Sequence, residues 1–313
     1  MKRHMFILLL SLVFVLVGGL YAASTLSQGA VEAPTTAYLP LVLRVPAGAI
    51  VADHTHTDLS VIPQSWIEQA KSDLRLFYGH TSHGSQPISG MQVLMDDPSN
   101  NQLYDFTSDG SVVAGMLSVD DHYGDMGDLG SSGYTGWADL TRTYLDSAEG
   151  SDRNVVVWSW CGQVSGYTPE GIDAYLGAMN QLEQDYPEVT FVYMTGHLDG
   201  TGVDGNLNLM NTLIRDYVVA NDKVLFDFAD IESYDPDGTE FMSRLATDGC
   251  YYDADGDGDP WNDTANWAID WCAANVGDPR CISCGCAHSE SLNCNLKAHA
   301  FWWMLARIAG WDG

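Results

Sequence analysis

Residues 154–194, NVVVWSWCGQVSGYTPEGIDAYLGAMNQLEQDYPEVTFVYM, hold a complete strand, helix and strand in succession. Val155, Val156, Val157 and Trp158 form an apolar run too short for a helix and rich in β-branched side chains, the pattern of a strand buried on both faces. Thr168 and Pro169 then supply an N-cap and a first-turn proline. Ile172, Leu176, Met179 and Leu182 follow on one helical face, and Pro187 ends the helix. Val189 to Met194 is the second strand. Downstream, Leu207 to Val219 reads as a helix and Val224 to Phe228 as a third strand. Upstream, Leu74 to Tyr78 is a strand and Gly136 to Ser147 a helix. Leu296 to Ala309 is apolar almost all round and stops at Gly310, as a buried terminal helix does. This alternation predicts right-handed crossovers and an α/β fold, a three-layer sandwich whose central parallel sheet is covered on both faces.

The chain opens with Lys2 and Arg3 before an apolar run from Met5 to Val17, then Gly18, Gly19 and the small residues Ala22 and Ala23. That order predicts a secretory signal peptide over residues 1–23, the run being shorter than the roughly 20 residues a bilayer core demands. Residues 24–59, rich in Ala, Thr, Pro and Val, read as a tether, and residues 60–313 as the folded domain. A secreted or cell-surface location follows, with no membrane contact after signal removal. With 46% hydrophobic residues, the chain can bury a sizeable core. Its formal net charge of -29, from 42 acidic against 13 basic residues, disfavours nucleic acid and anionic membranes as partners.

Six of the seven cysteines, Cys250, Cys272, Cys281, Cys284, Cys286 and Cys294, fall in the last quarter of the chain. In an oxidising compartment they predict a disulfide-stapled region of open connectivity. A zinc site at Cys281, Cys284 and Cys286 with His288 is the rival and needs reduced thiols. Cys161 stands apart and is expected to be unpaired and buried. Residues 235–288 fit no strand and helix alternation and read as a cysteine-rich insertion before the last helix. Inside it, Asp253, Asp255, Asp257 and Asp259 alternate with small residues, Gly258 takes the sixth loop place, and Asp263 follows. Hard cations favour such oxygen-rich turns, so a structural calcium is expected, although Thr264 stands where an EF-hand has glutamate.

Ligands of open parallel sheets sit beyond the carboxyl ends of the strands. Four polar segments fall there: Gly79 to Gln86 (GHTSHGSQ), Ser159 to Gln163 (SWCGQ), Thr195 to Gly200 (TGHLDG) and Cys286 to Glu290 (CAHSE). Hydroxyls, histidines and amide donors together are what ester hydrolysis requires: a nucleophile, a base and groups that stabilise an oxyanion. In chain order Gly79 to Ser82, Gly130 to Thr135, Gly162-Gln163 and His288 resemble the four blocks of the SGNH (GDSL-type) hydrolase family, which supply a Ser, a Gly, an Asn and a His. The resemblance implies a flavodoxin-like, SGNH-type sheet and a secreted serine esterase. Ser82 would be the nucleophile, with Thr81 and Ser85 as runners-up, and His288 the base. Gly133, in Gly130 to Thr135 (GSSGYT), and Gln163 would be the oxyanion donors. It departs from the family at His80, which stands in the aspartate place of the first block, and at Gly285, three residues before His288, where the family has its acid.

His80, His83 and His197 are candidates for lining the substrate pocket. Together with His288, and with Asp199 and Asp204, they could instead hold a metal and make a metal-dependent hydrolase. A non-catalytic extracellular binding module on the same fold is the remaining alternative. The expected ligand is a small-molecule or carbohydrate ester, an acetyl ester on a carbohydrate being one form, with no cofactor for catalysis.

Overall fold

The computed structural model describes residues 48–313. The expected signal peptide and the tether as far as residue 47 lie outside the described residues. Seven strands form one sheet, and every pairing in it is parallel. They are β1 (Ile50–Ala52), β2 (Arg75–His80), β3 (Phe106–Thr107), β4 (Leu117–Tyr123), β5 (Val155–Trp158), β6 (Thr190–Met194) and β7 (Val224–Phe226), in the spatial order β1-β7-β6-β5-β2-β4-β3. The sequence order reverses beside β2, which lies between β5 and β4. In open parallel sheets ligands sit beyond the strand ends at such a point.

The helices are α1 (Gln64–Asp73), α2 (Ser85–Asp96), α3 (Gly136–Leu145), α4 (Pro169–Asp185), α5 (Asn206–Ala220), the single turn α6 (Phe228–Ile231), α7 (Trp267–Ala274) and α8 (Ser291–Ile308). Helices α1, α2 and α7 pack on α8, whereas α3, α4 and α5 pack in series. The α/β sandwich with a central parallel sheet is therefore the observed architecture. Its core is formed by wholly buried strand residues such as Phe77, Val157 and Tyr193, with the apolar body of α8, Phe301, Trp302 and Leu305, against them. Among the described residues no helix is long and apolar enough to cross a membrane.

The strand and helix signals from residue 154 to residue 219 fall where the periodicity places them. Thr168 caps α4 by accepting from the Gly171 N–H. Two expectations need correction, and one strand lay outside them. The domain starts before residue 60, because Ile50–Ala52 is a sheet strand paired with β7, and three residues are too few to show a period. Helix α8 begins at Ser291, five residues before the expected start, since Asn293 and Asn295, buried and hydrogen-bonded, interrupt the apolar pattern of Leu292 and Cys294 there. Strand β4, LSVDDHY, was hidden by its polarity. Ser118 and Asp120 in it are buried, the first accepting from Arg153 Nη1 at 3.0 Å and the second from the Tyr144 hydroxyl. A polar residue satisfied in this way costs little inside a sheet but erases the apolar pattern.

Two disulfides, Cys272–Cys281 and Cys286–Cys294, staple the segment between β7 and α8. They remove Cys281 and Cys286 from the zinc set considered above, so that arrangement does not form. Cys250 and Cys284 are free thiols.

Candidate active site

Strand β2 delivers its chain directly into a tight turn at Ser82–Gly84, where Ser82 takes φ +33. A positive φ is strained for serine, and residues held this way cluster at functional sites. Gly84 is required here, because a Cβ on it would lie 2.0 Å from Ser159 Oγ. Ser82 Oγ meets His288 Nε2 in a hydrogen bond that joins residues 206 apart in the chain. His288 also has positive φ, +62, and the carbonyl just before it, that of Ala287, accepts from Gln86 Nε2 at 2.6 Å.

Around this pair three imidazoles form a stack. His83 lies 3.7 Å from His197 and 4.3 Å from His288, ring centre to ring centre, and the planes are within 15° of parallel. His83 is buried, and its Nε2 is 2.9 Å from Asp248 Oδ2. A carboxylate can only accept, so the proton resides on Nε2 and Nδ1 is left with its lone pair free. Cys161 Sγ is 3.6 Å from that Nδ1. Burial holds the His83 imidazole below its ordinary pKa despite the bond to Asp248, which keeps it neutral at pH 7. For Asp248, burial acts upward, but the hydrogen bonds it accepts from His83 and from the Gly249 N–H, beside the neighbouring imidazoles, outweigh it and the carboxyl sits below its ordinary value. His197 Nδ1 donates to the Leu198 carbonyl at 2.7 Å, and its buried Nε2 has no partner among the described residues.

Beneath the stack lies a buried ion pair. Lys297 Nζ donates to Glu232 Oε1 at 2.5 Å and also to Gln86 Oε1, and both charged side chains are fully shielded from solvent. Glu232 Oε2 accepts from the Leu198 N–H at 2.8 Å. The pair thus reaches the backbone beside His197 through Glu232 and the backbone beside His288 through Gln86. Lys297 also sits 3.7 Å over the Phe228 ring.

Of the residues singled out in the sequence, Ser82, His83, His197 and His288 come together. His80 does not join them: it is buried, and its Nε2 pairs with Asp121 Oδ1 at 2.5 Å. Cys161 is half-buried rather than buried, and it faces His83. Thr81 donates to Asp128 Oδ2 at 2.6 Å, and Ser85 Oγ to the Ser82 carbonyl at 2.8 Å. Gln163 gives its amide hydrogens to Asp128, at 3.0 and 3.1 Å, and accepts from the Cys161 N–H. Asp128 also accepts from the Gly130 N–H, so one carboxylate joins the loops after β2, β4 and β5. Gly133 lies in an exposed turn with φ +80, and the neighbouring Gly130 carbonyl accepts from the Tyr167 hydroxyl. Asp199 accepts from Thr201, and Asp204 is exposed.

In the 253–263 turn the carboxylates accept from their own loop. Asp253 takes the N–H groups of Gly256 and Gly258, Asp255 that of Asp257, Asp257 that of Asp259, Asp259 that of Trp261, and Asp263 that of Ala254. Oxygens of Asp253, Asp255 and Asp257 lie within 4.8 Å of one another.

Asp248, Asp128, Glu232 and Lys297 were not visible as site residues in the sequence. Asp248 sits in D-G-C without any periodic or motif context, and Lys297 occupies a helix that reads as apolar. Comparison with protein-family models, with curated proteins and with solved structures finds no match for this chain.

Proposed function

We propose that the protein is a secreted serine hydrolase that cleaves esters, of SGNH type in the order of its site segments. The observation that carries this reading is the Ser82 Oγ to His288 Nε2 contact at the strand ends of a parallel sheet. In the reaction His288 takes the Ser82 proton as Oγ attacks the ester carbonyl. It then returns that proton to the departing alcohol, and water releases the acyl group by the same route reversed. His288 has no carboxylate hydrogen-bonded to it among the described residues, so the pair is a dyad. Asp248, whose oxygen lies within 4.8 Å of a His288 ring nitrogen, supplies negative charge beside the imidazolium without a direct bond. Gly133 and Gln163 keep their place as proposed oxyanion donors, with Gln163 having to release Asp128 to act.

The calcium at Asp253–Asp259 with Asp263 and an ester on a carbohydrate or small molecule as substrate belong to the same proposal. A rise in melting temperature on adding calcium, absent in Asp255→Asn, supports the first of these. Incubation with a fluorophosphonate probe and with p-nitrophenyl acetate tests the central reading. Labelling of Ser82 that vanishes in Ser82→Ala together with a large loss of turnover supports it, and p-nitrophenyl acetate turnover that is unchanged in that variant removes it.

A metal-dependent hydrolase remains the second reading, because ligand atoms of His83, Asp248 and His288 lie within 4.8 Å of one another. His80 is outside that group. Hydrolysis that is lost with EDTA and proceeds without probe labelling favours this second reading. A protein with neither activity nor labelling fits the extracellular binding module.

A further inference from the structure

We infer that Cys161 is a second nucleophile of the same cleft, with His83 as its base and Asp248 as the group that orients His83. Its substrate class is an acyl electrophile, an ester or thioester carbonyl. Three observations carry this. The Cys161 sulfur is within hydrogen-bonding reach of His83 Nδ1, at 3.6 Å. The other ring nitrogen is committed to Asp248 at 2.9 Å, and a carboxylate partner fixes the tautomer in which Nδ1 accepts. The ring itself is clamped between His197 and His288, so it cannot turn away from the thiol. Nucleophile, base and orienting acid in hydrogen-bond sequence define an activated thiol irrespective of chain order. The Ser82 and His288 pair lacks that third member, so the better-oriented base in the cleft belongs to the sulfur.

In the step proposed, the thiol proton passes to His83 Nδ1 as the sulfur bonds to the carbonyl carbon. The carbon–oxygen or carbon–sulfur bond to the leaving group breaks, and that group departs with the proton from His83. Water then attacks the thioester, giving one proton to His83, and the thiol is restored as the acid leaves.

The remaining cysteines serve as internal controls. Four are in disulfides. Burial pushes the Cys250 thiol up to about 12, and burial likewise raises that of Cys284. Only a thiol with a nearby base reacts quickly at neutral pH.

The experiment is alkylation of the folded full-length protein with iodoacetamide at pH 7, read by peptide mass spectrometry. Cys161 is expected to react about ten-fold faster than Cys284, and His83→Gln and Asp248→Asn are each expected to slow it by a similar factor. A Cys161 rate equal to that of Cys284, or unchanged in His83→Gln, overturns the inference. Catalytic competence is read separately in Ser82→Ala, where brief exposure to p-nitrophenyl thioacetate should leave an acetyl group on Cys161. Finding no acetyl-Cys161 in the quenched protein refutes the acyl-transfer step. Near-ultraviolet circular dichroism of each variant identifies any that has lost its fold, and Cys161→Ser, in which the weaker hydroxyl nucleophile should take up no acetyl group, is the conservative control. Fluorophosphonate labelling of Ser82 in Cys161→Ser reports on the serine reading alone, so either proposal can fail without the other.

Discussion

The strand-end loops and the segment between β7 and α8 contribute unequal halves of the same side-chain cluster. Ser82 and His83 follow β2, Cys161 follows β5 and His197 follows β6, so these four are placed by the parallel ladder. Asp248 and His288 come from outside the sheet, and each pairs with one of the four. The first group is positioned by strands buried along almost their whole length. In the second, His288 is held by the Cys286–Cys294 disulfide and by the Gln86 bond to Ala287, while Asp248 follows Thr247, which bridges to Asp199. The sheet thus fixes one partner of each pair, and the segment before α8 supplies the other.

Ser82→Ala is expected to have the largest effect, lowering ester kcat/KM by roughly 10⁴-fold with the fold unchanged, because it removes the proposed nucleophile from the rigid half. A smaller loss than His288→Ala would invert the ranking of the two halves. Next comes Lys297→Met, which strands a buried Glu232 carboxylate and should cost about 3–5 kcal/mol in urea unfolding. Lys297→Met with Glu232→Leu should recover most of that loss, as both charges are then gone. If the double variant is no more stable than the single, the pair is not what holds the segment.

Removing Cys286–Cys294, which closes a loop of sequence separation 8, is expected to cost about 2–3 kcal/mol on loop-closure grounds. Removing Cys272–Cys281, of separation 9, should cost a similar amount. Only the first brackets His288, so activity measured below the melting transition should fall more in Cys286→Ala/Cys294→Ala than in Cys272→Ala/Cys281→Ala. Equal activity in the two would show that the β7 to α8 segment is held as one unit.

The last effect concerns acid. Burial holds His299 down at about 4, against 6.5 when unfolded, while its Nδ1 bonds the Thr57 carbonyl at 2.9 Å. Because the folded pKa is the lower one, the unfolded chain takes up this proton first. The contribution is fully present above pH 6.5 and declines as pH falls toward 4. Thermal unfolding between pH 7 and 4 should therefore show a smaller decline in His299→Gln, a change confined to the α8 side of the molecule.

Strand β5, helix α4 and strand β6 could be read because each repeats one local period over its own length, and the buried face is a local property. The Ser82, His83, His197 and His288 set could be nominated because all four follow strands or precede the last helix, where a parallel sheet exposes its edge. His80 was nominated on the same ground, yet it pairs with Asp121 of the neighbouring strand β4, whose polar sequence concealed it.

The amino-acid sequence alone determined the alternation of elements, hence the parallel sheet, and the residue types at its carboxyl edge. The tertiary structure decided the partners: Ser82 with His288 across 206 residues, His83 with Asp248 across 165, and Lys297 with Glu232 beneath them. Periodicity records which face of an element is apolar. It carries no record of which loop will fold over which strand end, because that is fixed by crossover packing and by two cross-links among cysteines that the spacing leaves free to pair in several ways.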